Sequence, residues 1–160
     1  MIKEIQKYQD MVLATSEGES VTARTVACIS DGLTVYFTTT PGSRKYSQIA
    51  ANPNVALAAG NLQIEGIASV KGHPLAEGNA AFIEVLRETR PELYEGMSQM
   101  HFKIPNYQLI EVAPRRIALY RMSLRDSVVI DNVNYEGYML NVPQVCIDIL
   151  NTSNEEAHRV

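Results

Sequence analysis

Short apolar runs, separated by turn residues, predict a protein built mainly from β-strands. Asp31-Gly32 is the strongest hairpin signal, because both residues accept the backbone angles of a tight type I′ turn. Strands so close in sequence favour hairpin connections, and therefore an antiparallel sheet closed as a barrel with flanking helices. The segments expected to form strands are residues 11–15, 21–29, 33–39, 54–59, 62–71, 107–112 and 117–122, with a further candidate at 128–130.

Two helices are expected to interrupt the strands, and a short helix is expected before the first strand. Residues 2–9 have the spacing of a short amphipathic helix, and residues 75–88 that of a longer one, followed by a helical turn starting at Pro91. A helix over residues 43–51 has a suitable N-cap in Ser43 and ends at Asn52-Pro53. Gly66 interrupts a predicted strand, which indicates a β-bulge or a close approach of another backbone.

Composition limits the classes of function. The chain has 160 residues, a net charge of −4 and a pI of about 5.4, which make it a poor general nucleic-acid binder. Two cysteines, Cys28 and Cys146, lie far apart without metal-ligand spacing, and we expect both to be small apolar residues in strands in a reducing compartment. Neither a signal peptide nor a transmembrane run is recognisable, so a cytoplasmic protein without membrane contact is expected.

The histidines give no metal or catalytic pattern. His73, His101 and His158 share no ligand spacing, so surface or loop positions are expected and no metal site is predicted. Tyr46 and Tyr94 are expected to pack on the barrel surface or at a dimer contact. The sequence therefore identifies no catalytic residue.

A candidate phosphate site follows the strand at 33–39. Thr38-Thr39-Thr40-Pro41-Gly42 leads into Ser43-Arg44-Lys45, so a hydroxyl-rich loop meets a helix N-terminus that carries two cations. Free backbone N–H groups, the helix dipole and the cations all favour a bound phosphate. Arg24 is the only charged residue of the strand at 21–29, and its planar fork suits a phosphate. Pairing of Arg24 with a carboxylate at the barrel rim is the alternative.

These residues, in this order and spacing, resemble the pyridoxamine 5'-phosphate oxidase-like, FMN-binding split-barrel family. The resemblance covers about residues 8 to 122. The segments that carry it are Arg24-Thr25-Val26, Thr38-Thr39, Ser43-Arg44-Lys45, Asn52-Pro53-Asn54-Val55, Gly66-Ile67-Ala68 and residues 109–116.

The resemblance implies a six-stranded antiparallel split barrel over residues 1–125, with residues 126–160 as a C-terminal extension on the barrel or on a dimer partner. It implies a homodimer with FMN in a cleft between the subunits. The implied phosphate ligands are Arg24, Ser43, Arg44 and Lys45. The implied contacts of the flavin ring are the backbone of Thr25 and Val26, the residues Thr38 and Thr39, and either Asn61 or Gln63, of which Gln63 is favoured.

The chain also departs from the family pattern. Ile29 stands where pyridoxamine 5'-phosphate oxidase itself has a lysine, and the chain contains no tryptophan, so oxidation of vitamin B6 is not expected. The better match is the branch of general-stress and nitroimidazole-resistance-like proteins. An FMN-dependent oxidoreductase acting on a small molecule, with an electron donor such as NAD(P)H, is the favoured function. A flavin-binding stress or redox-sensing protein without turnover, and a barrel that binds haem or a deazaflavin, are the alternatives. For haem, the resemblance leaves His73 or His101 as the candidate ligand.

Overall fold

The computed structural model describes residues 1–124 and 133–141, and its β-sheet is surrounded by short helices. The strands are β1 Asp10–Glu17, β2 Ser20–Ala27, β3 Ile29–Asp31, β4 Thr34–Thr39, β5 Asn54–Ala59, β6 Leu62–Val70, β7 Gln108–Leu124 and β8 Val133–Asn141. The helices are α1 Ile2–Gln6, α2 Arg44–Ala51, α3 Ala80–Thr89 and α4 Pro91–Gln99, with 3₁₀ turns at Glu77–Asn79 and His101–Lys103.

All described strand pairings are antiparallel, and the sheet order is β2-β1-β5-β6-β7-β4-β3, with β8 also paired to β7. The prediction of a mainly β, antiparallel barrel with flanking helices is confirmed. The six predicted barrel strands correspond to β1, β2, β4, β5, β6 and β7. Although β2 and β4 lie near opposite ends of this order, they contact each other. The sheet is therefore curled, and no hydrogen-bonded pairing joins β2 to β4 in the described ranges.

The interior of the curled sheet follows from the alternation of its strands. In β4 every second residue is buried, beginning with Val35, and β1 buries Met11, Leu13 and Thr15 in the same manner. A second apolar cluster lies under α3 and α4. Its buried members are Ile29, Phe82, Leu86, Met97, Phe102, Tyr107 and Leu109. Because α3 and α4 cover the end of the sheet formed by β3 and β4, they also wall off the region beside the opening between β2 and β4.

The single strand β7 Gln108–Leu124 spans both predicted segments, so the prediction of two strands joined across Ala113 to Arg116 is wrong. The pairing of β6 with β7 shifts at this point, because Glu65 pairs with Arg116 while Gly66 pairs with Pro114. Arg115 is the extra residue of a β-bulge, a place where a strand tolerates proline. The predicted bulge or close approach at Gly66 is confirmed on both counts, since a Cβ there would lie 2.6 Å from the carbonyl oxygen of Ala113.

The segment 21–29 is also divided differently from the prediction. The chain leaves β2 at Ala27, and β3 begins at Ile29, so that β2 pairs with β1 while β3 pairs with β4. A hairpin turn is confirmed at this point, but its two loop residues are Gly32, at φ 57°, and Leu33, because Asp31 pairs with Thr34, and it joins β3 to β4. The helix expected from residue 75 begins only at Ala80, after the 3₁₀ turn.

The C-terminal predictions are tested only in part. The candidate strand at 128–130 and the residue Cys146 lie outside the described residues. The strand β8, which is part of the predicted extension, pairs with β7 and so widens the sheet. The domain boundary at residue 125 stays a prediction. None of the described helices has the length and apolar character needed to cross a membrane.

Candidate cofactor site

A cleft of about 300 Å³ lies where the curled sheet is open between β2 and β4. Its lining residues come from both strands, from the start of α2 and from the region of α3 and α4. They are Thr25, Val26, Ala27, Ile29, Tyr36, Phe37, Thr38, Lys45, Phe82, Leu93, Met97, His101 and Tyr107. The cleft therefore combines an apolar wall from the helices with the polar edges of two strands.

The strand edges at this cleft are free to bond a ligand. The pairing of β3 with β4 stops at Tyr36, so residues Phe37 to Thr39 of β4 are paired with β7 on one side only. On the other side of the cleft, β2 pairs with β1 and with no other described strand. Backbone N–H and C=O groups without a sheet partner must bond water or a ligand. Two such edges facing one cleft suit a flat ligand with donors and acceptors along its rim.

The end of β4 is tied to the start of α2 by hydroxyl groups. The Oγ1 atom of Thr39 lies 2.7 Å from the Oγ atom of Ser43, and Ser43 accepts a hydrogen bond of 3.3 Å from the backbone N–H of Tyr46. The predicted N-cap role of Ser43 is confirmed. Nearby, the Oγ1 atom of Thr38 lies 2.6 Å from the hydroxyl oxygen of Tyr107. These contacts fix the loop at the N-terminal end of α2 beside the cleft.

Three cations, Arg24, Arg44 and Lys45, lie near this end of α2, and the described residues give them no acidic partner. The largest influence on the pKa of Arg24 is burial, which lowers it, and the charge of Arg44 lowers it further. Burial also lowers the pKa of Lys45, with a second contribution from the charge of Arg24. Among the described residues no carboxylate forms an ion pair with Arg24, Arg44 or Lys45. Like charges held together in this way favour the binding of an anion.

Arg24 is held by neutral oxygen atoms rather than by a carboxylate. Its Nη1 atom donates to Thr15, and its Nη2 atom donates to Thr22 and, at 3.0 Å, to the Oε1 atom of Gln48. The alternative of a carboxylate partner for Arg24 is therefore wrong for the described part of the chain. The guanidinium keeps its full positive charge next to α2.

Comparison with known proteins decides the family. A profile of the pyridoxamine 5'-phosphate oxidase family matches residues 2–121. The chain belongs to this family. Comparison with curated protein sequences gave no match.

Solved structures with the fold of this pyridoxamine 5'-phosphate oxidase family member include proteins of several kinds. General Stress Protein 26 from Bacillus anthracis is 22% identical, with a TM-score of 0.56, and the match covers 72% of this chain and 88% of that one. A NimC/NimA family protein from Clostridium acetobutylicum is 15% identical, with a TM-score of 0.55, over 86% and 89% of the two chains. HutZ, the heme storage protein from Vibrio cholerae, is 16% identical, with a TM-score of 0.55, over 71% and 87%. At these identities the likeness establishes the split-barrel fold.

Most of the residues that the sequence predicted for this family member lie together. Thr25, Val26, Thr38 and Lys45 line the cleft. Thr39 and Ser43 bond each other beside it, and electrostatic coupling places Arg24 close to Arg44 and Lys45. These eight residues form one continuous region around the opening of the barrel and the start of α2.

Gln63 does not join this region within one protomer. Its side chain is exposed on β6, and its Nε2 atom donates a hydrogen bond of 3.2 Å to the Oε1 atom of Glu65. Asn61, the alternative, is exposed in the turn between β5 and β6. The sheet order separates β6 from β4 by β7, so neither residue lines the described cleft.

The structure adds cleft residues, of which the sequence had indicated only His101, as one of two possible haem ligands. Tyr107 is buried, and its ring lies 5.4 Å from that of His101, which is exposed at the cleft. Phe82 packs against Tyr36, with ring centroids 5.7 Å apart. No local signal identifies these residues, because the contact of Thr38 with Tyr107 spans 69 positions. In the described ranges no group of three or more histidine, cysteine, aspartate or glutamate side chains could hold a metal ion.

Proposed function

We propose that the protein binds FMN in the cleft between β2 and β4 and uses it as an oxidoreductase for a small molecule. The observation that carries the proposal is the group of three cations, Arg24, Arg44 and Lys45, without an acidic partner in the described residues. This group adjoins a cleft with free strand edges, so a phosphate site and a site for a flat ring system are neighbours. A phosphorylated heteroaromatic cofactor fits both halves.

The residues fit FMN in the following manner. Arg24, Arg44, Lys45 and the Ser43 end of α2 would hold the phosphate, since cations and a helix N-terminus are the usual means of doing so. Thr25 and Val26 would bond the ring through their backbone, and Thr38 and Thr39 would lie at its edge. When bound, FMN supplies one- and two-electron transfer. The contribution of the protein is to orient the ring, and the apolar wall formed by Phe82, Leu93 and Met97 would exclude water from one side of the cleft.

A homodimer is part of this proposal. Val12, Ala58 and Gln63 form one row across β1, β5 and β6, because Val12 pairs with Ala58 and Ala58 pairs with Gln63. All three side chains are exposed, and Val12 keeps 44% of its surface in solvent. If two copies pack through this face, Gln63 of each copy would approach the cleft of the other. Light scattering of the flavin-bound protein tests this, and a monomer would refute the dimer.

The visible spectrum of the purified protein tests FMN binding. We expect flavin absorption bands that are lost in the double variant Arg24→Ala with Lys45→Ala. A matched control is Lys7→Ala, which removes a cation beside α1 that pairs with Glu4. The control should retain the bands. A colourless protein that does not take up added FMN would refute the proposal.

Turnover separates an enzyme from a non-catalytic flavin-binding stress or redox-sensing protein. The flavin-loaded protein is mixed with NAD(P)H and an electron acceptor, such as a nitroaromatic compound or a quinone. Repeated cycles of reduction and reoxidation are expected for the oxidoreductase. A single stoichiometric reduction would favour the sensing protein. The proposed NAD(P)H donor fits a cytoplasmic location, as does the free thiol of Cys28.

Haem is the second candidate ligand, and one observation favours it. His101 is exposed at the cleft, where an imidazole could reach an iron atom. The cations at α2 favour FMN instead, since a phosphate is the better partner for three positive charges. A Soret band in the purified protein that disappears in His101→Ala would establish haem. A deazaflavin would be recognised by its own absorption spectrum.

A further inference from the structure

Gln48 is a buried polar residue at the centre of the network that holds Arg24. It lies on α2, and none of its surface is exposed. Its Oε1 atom accepts three hydrogen bonds, from Thr15 at 2.7 Å, from Thr22 at 2.8 Å and from Arg24 at 3.0 Å. One carbonyl oxygen thus joins α2 to β1 and β2.

The hydrogen atoms of this network can be arranged in only one consistent manner. A guanidinium group only donates, so the hydroxyl oxygens of Thr15 and Thr22 accept from Arg24. Each threonine must then donate its own proton to the Oε1 atom of Gln48. The oxygen of the amide is therefore directed at the network. Its Nε2 atom remains buried without a hydrogen-bond partner among the described residues.

An unpaired buried N–H group is costly and uncommon in folded proteins. A carboxylate at position 48 would accept the same three bonds without leaving such a donor, and it would form an ion pair with Arg24. The structure has the neutral side chain instead. With glutamine rather than a carboxylate at position 48, the net charge near the start of α2 is one unit more positive.

We infer that Gln48 is a positioning residue for an anion at this site, one that fixes Arg24 through one direct hydrogen bond and through Thr15 and Thr22, and leaves its charge without a counter-charge among the described residues. This inference rests on the proposed function, because it assigns the charge of Arg24 to the phosphate of FMN. Thr15 and Thr22 link the two residues, because each accepts a hydrogen bond from Arg24 and donates one to Gln48 on α2. The anion itself need not contact Gln48.

Two variants and one control test the inference. Gln48→Glu keeps the acceptors and adds a negative charge, and the adjacent guanidinium would keep the new carboxylate ionised. Gln48→Met keeps a similar length and removes the acceptor. Gln6→Glu makes the same charge change on α1, at an exposed residue that bonds no member of the network. Affinities for FMN and for riboflavin, which lacks the phosphate, are measured by quenching of flavin fluorescence, together with the melting temperature of each apoprotein.

For Gln48→Glu we expect the FMN affinity to fall about tenfold or more, which corresponds to the loss of one charge-assisted contact. The riboflavin affinity and the melting temperature should stay near those of the wild type or rise. For Gln48→Met we expect a selective loss of FMN affinity and a lower melting temperature. Gln6→Glu should change none of these. Equal losses for FMN and riboflavin in both Gln48 variants would show a purely structural role and overturn the inference.

A different result is expected if the proposed function is wrong and the protein binds no flavin. If the wild type binds neither flavin, the probe becomes inorganic phosphate, read as a rise in melting temperature. A rise in the wild type that is lost in Gln48→Glu and kept in Gln6→Glu would uphold an anion site positioned by Gln48 while refuting FMN. An equal rise in the wild type and in Gln48→Glu, or no rise in the wild type, would overturn the inference.

Discussion

The hydroxyl groups of Thr39 and Ser43 lie 2.7 Å apart and join the last residue of β4 to the N-cap of α2. Thr39 is buried at the end of the sheet, so this contact links Ser43 to the sheet. Ser43 in turn accepts the backbone N–H of Tyr46. This pair of hydroxyl groups therefore ties the N-terminal end of α2, where Arg44 and Lys45 lie, to the end of β4.

Substitutions of Ser43 should separate capping from anion binding. Ser43→Ala removes the cap and should lower the free energy of unfolding by about 1 kcal/mol. Ser43→Asp retains a capping oxygen, and its negative charge at a helix N-terminus should leave the stability near that of the wild type. The same charge should weaken FMN binding by roughly tenfold or more, since it opposes the phosphate. Chemical denaturation and flavin titration measure the two effects. A stable Ser43→Asp variant with unchanged FMN affinity would show that the phosphate lies elsewhere.

Gly66 has no room for a side chain in the folded protein. In Gly66→Ala the added Cβ would lie 2.6 Å from the carbonyl oxygen of Ala113 and 2.9 Å from the Cγ1 atom of Val112. Because one of these neighbours is backbone, β6 and β7 must separate, and we expect a loss of about 1–3 kcal/mol in the free energy of unfolding. Denaturant unfolding measures the change.

Gly96→Ala is the control for that experiment. Gly96 lies within α4, and nothing surrounds its Cβ position within 4 Å. Alanine there should stabilise the helix by up to about 1 kcal/mol, because it is the better helix former. If Gly66→Ala behaves like Gly96→Ala, the close approach of β6 and β7 is not a constraint on the fold.

The bulge at this point also shows how far the sequence can predict the fold. The prediction at Gly66 is correct, because a glycine within a strand pattern usually marks a bulge or a close backbone approach. The prediction at Pro114 is wrong, because a proline followed by two arginines has the local chemistry of a turn. Whether such a segment forms a turn or a bulge depends on the strand it pairs with, here β6. That strand is distant in sequence, so the local residues do not predict the pairing. The break at Cys28 escapes prediction because Val21 to Ile29 alternates without interruption.

The candidate site likewise has one part that the sequence could predict and another that it could not. Its local part, from Thr38 to Lys45, is contiguous in sequence and could be predicted from turn, cap and charge. Arg24 could be singled out as a lone charge in an apolar strand. Its partners Thr15 and Gln48 could not, because three separate elements bring them together. Tyr107 and His101 reach the cleft only through the packing of α3, α4 and β7 against β4.

The charge of Lys45 should destabilise the ligand-free protein and stabilise the protein when an anion is bound. Burial and the charge of Arg24 lower the pKa of Lys45, so the folded state holds its proton less tightly than the unfolded state. Lys45→Met should therefore be slightly more stable than the wild type at neutral pH without ligand. With saturating phosphate the order should reverse, because only the wild type retains the full site and ligand binding stabilises the native state. Thermal unfolding with and without phosphate measures both.

The pH dependence of this difference has a defined sign. Where the unfolded state binds more protons than the folded state, stability rises with pH. Without ligand, the free energy of unfolding of the wild type should therefore rise relative to that of Lys45→Met as the pH rises from below the lowered pKa of Lys45 toward 10.5, its ordinary value. The other titrating groups are common to both proteins and cancel in the comparison. If the stability advantage of Lys45→Met over the wild type grows over this pH range, the lowered pKa of Lys45 is contradicted.

Cys28 should be unreactive in the folded protein. It is 2% exposed, and burial raises the pKa of its thiol from 9.0 to about 12. The thiolate is the nucleophile, so a buried thiol with a raised pKa should resist alkylation at pH 8 and react only on unfolding. The same shift means that Cys28 contributes stability below pH 9, and that this contribution is lost as pH rises from about 9 to 12. Labelling with iodoacetamide, read at Cys28 by peptide mapping with and without denaturant, measures the protection. Equal labelling in both states would show that the junction between β2 and β3 opens readily, and the wall of the cleft that Ile29 contributes would then be mobile.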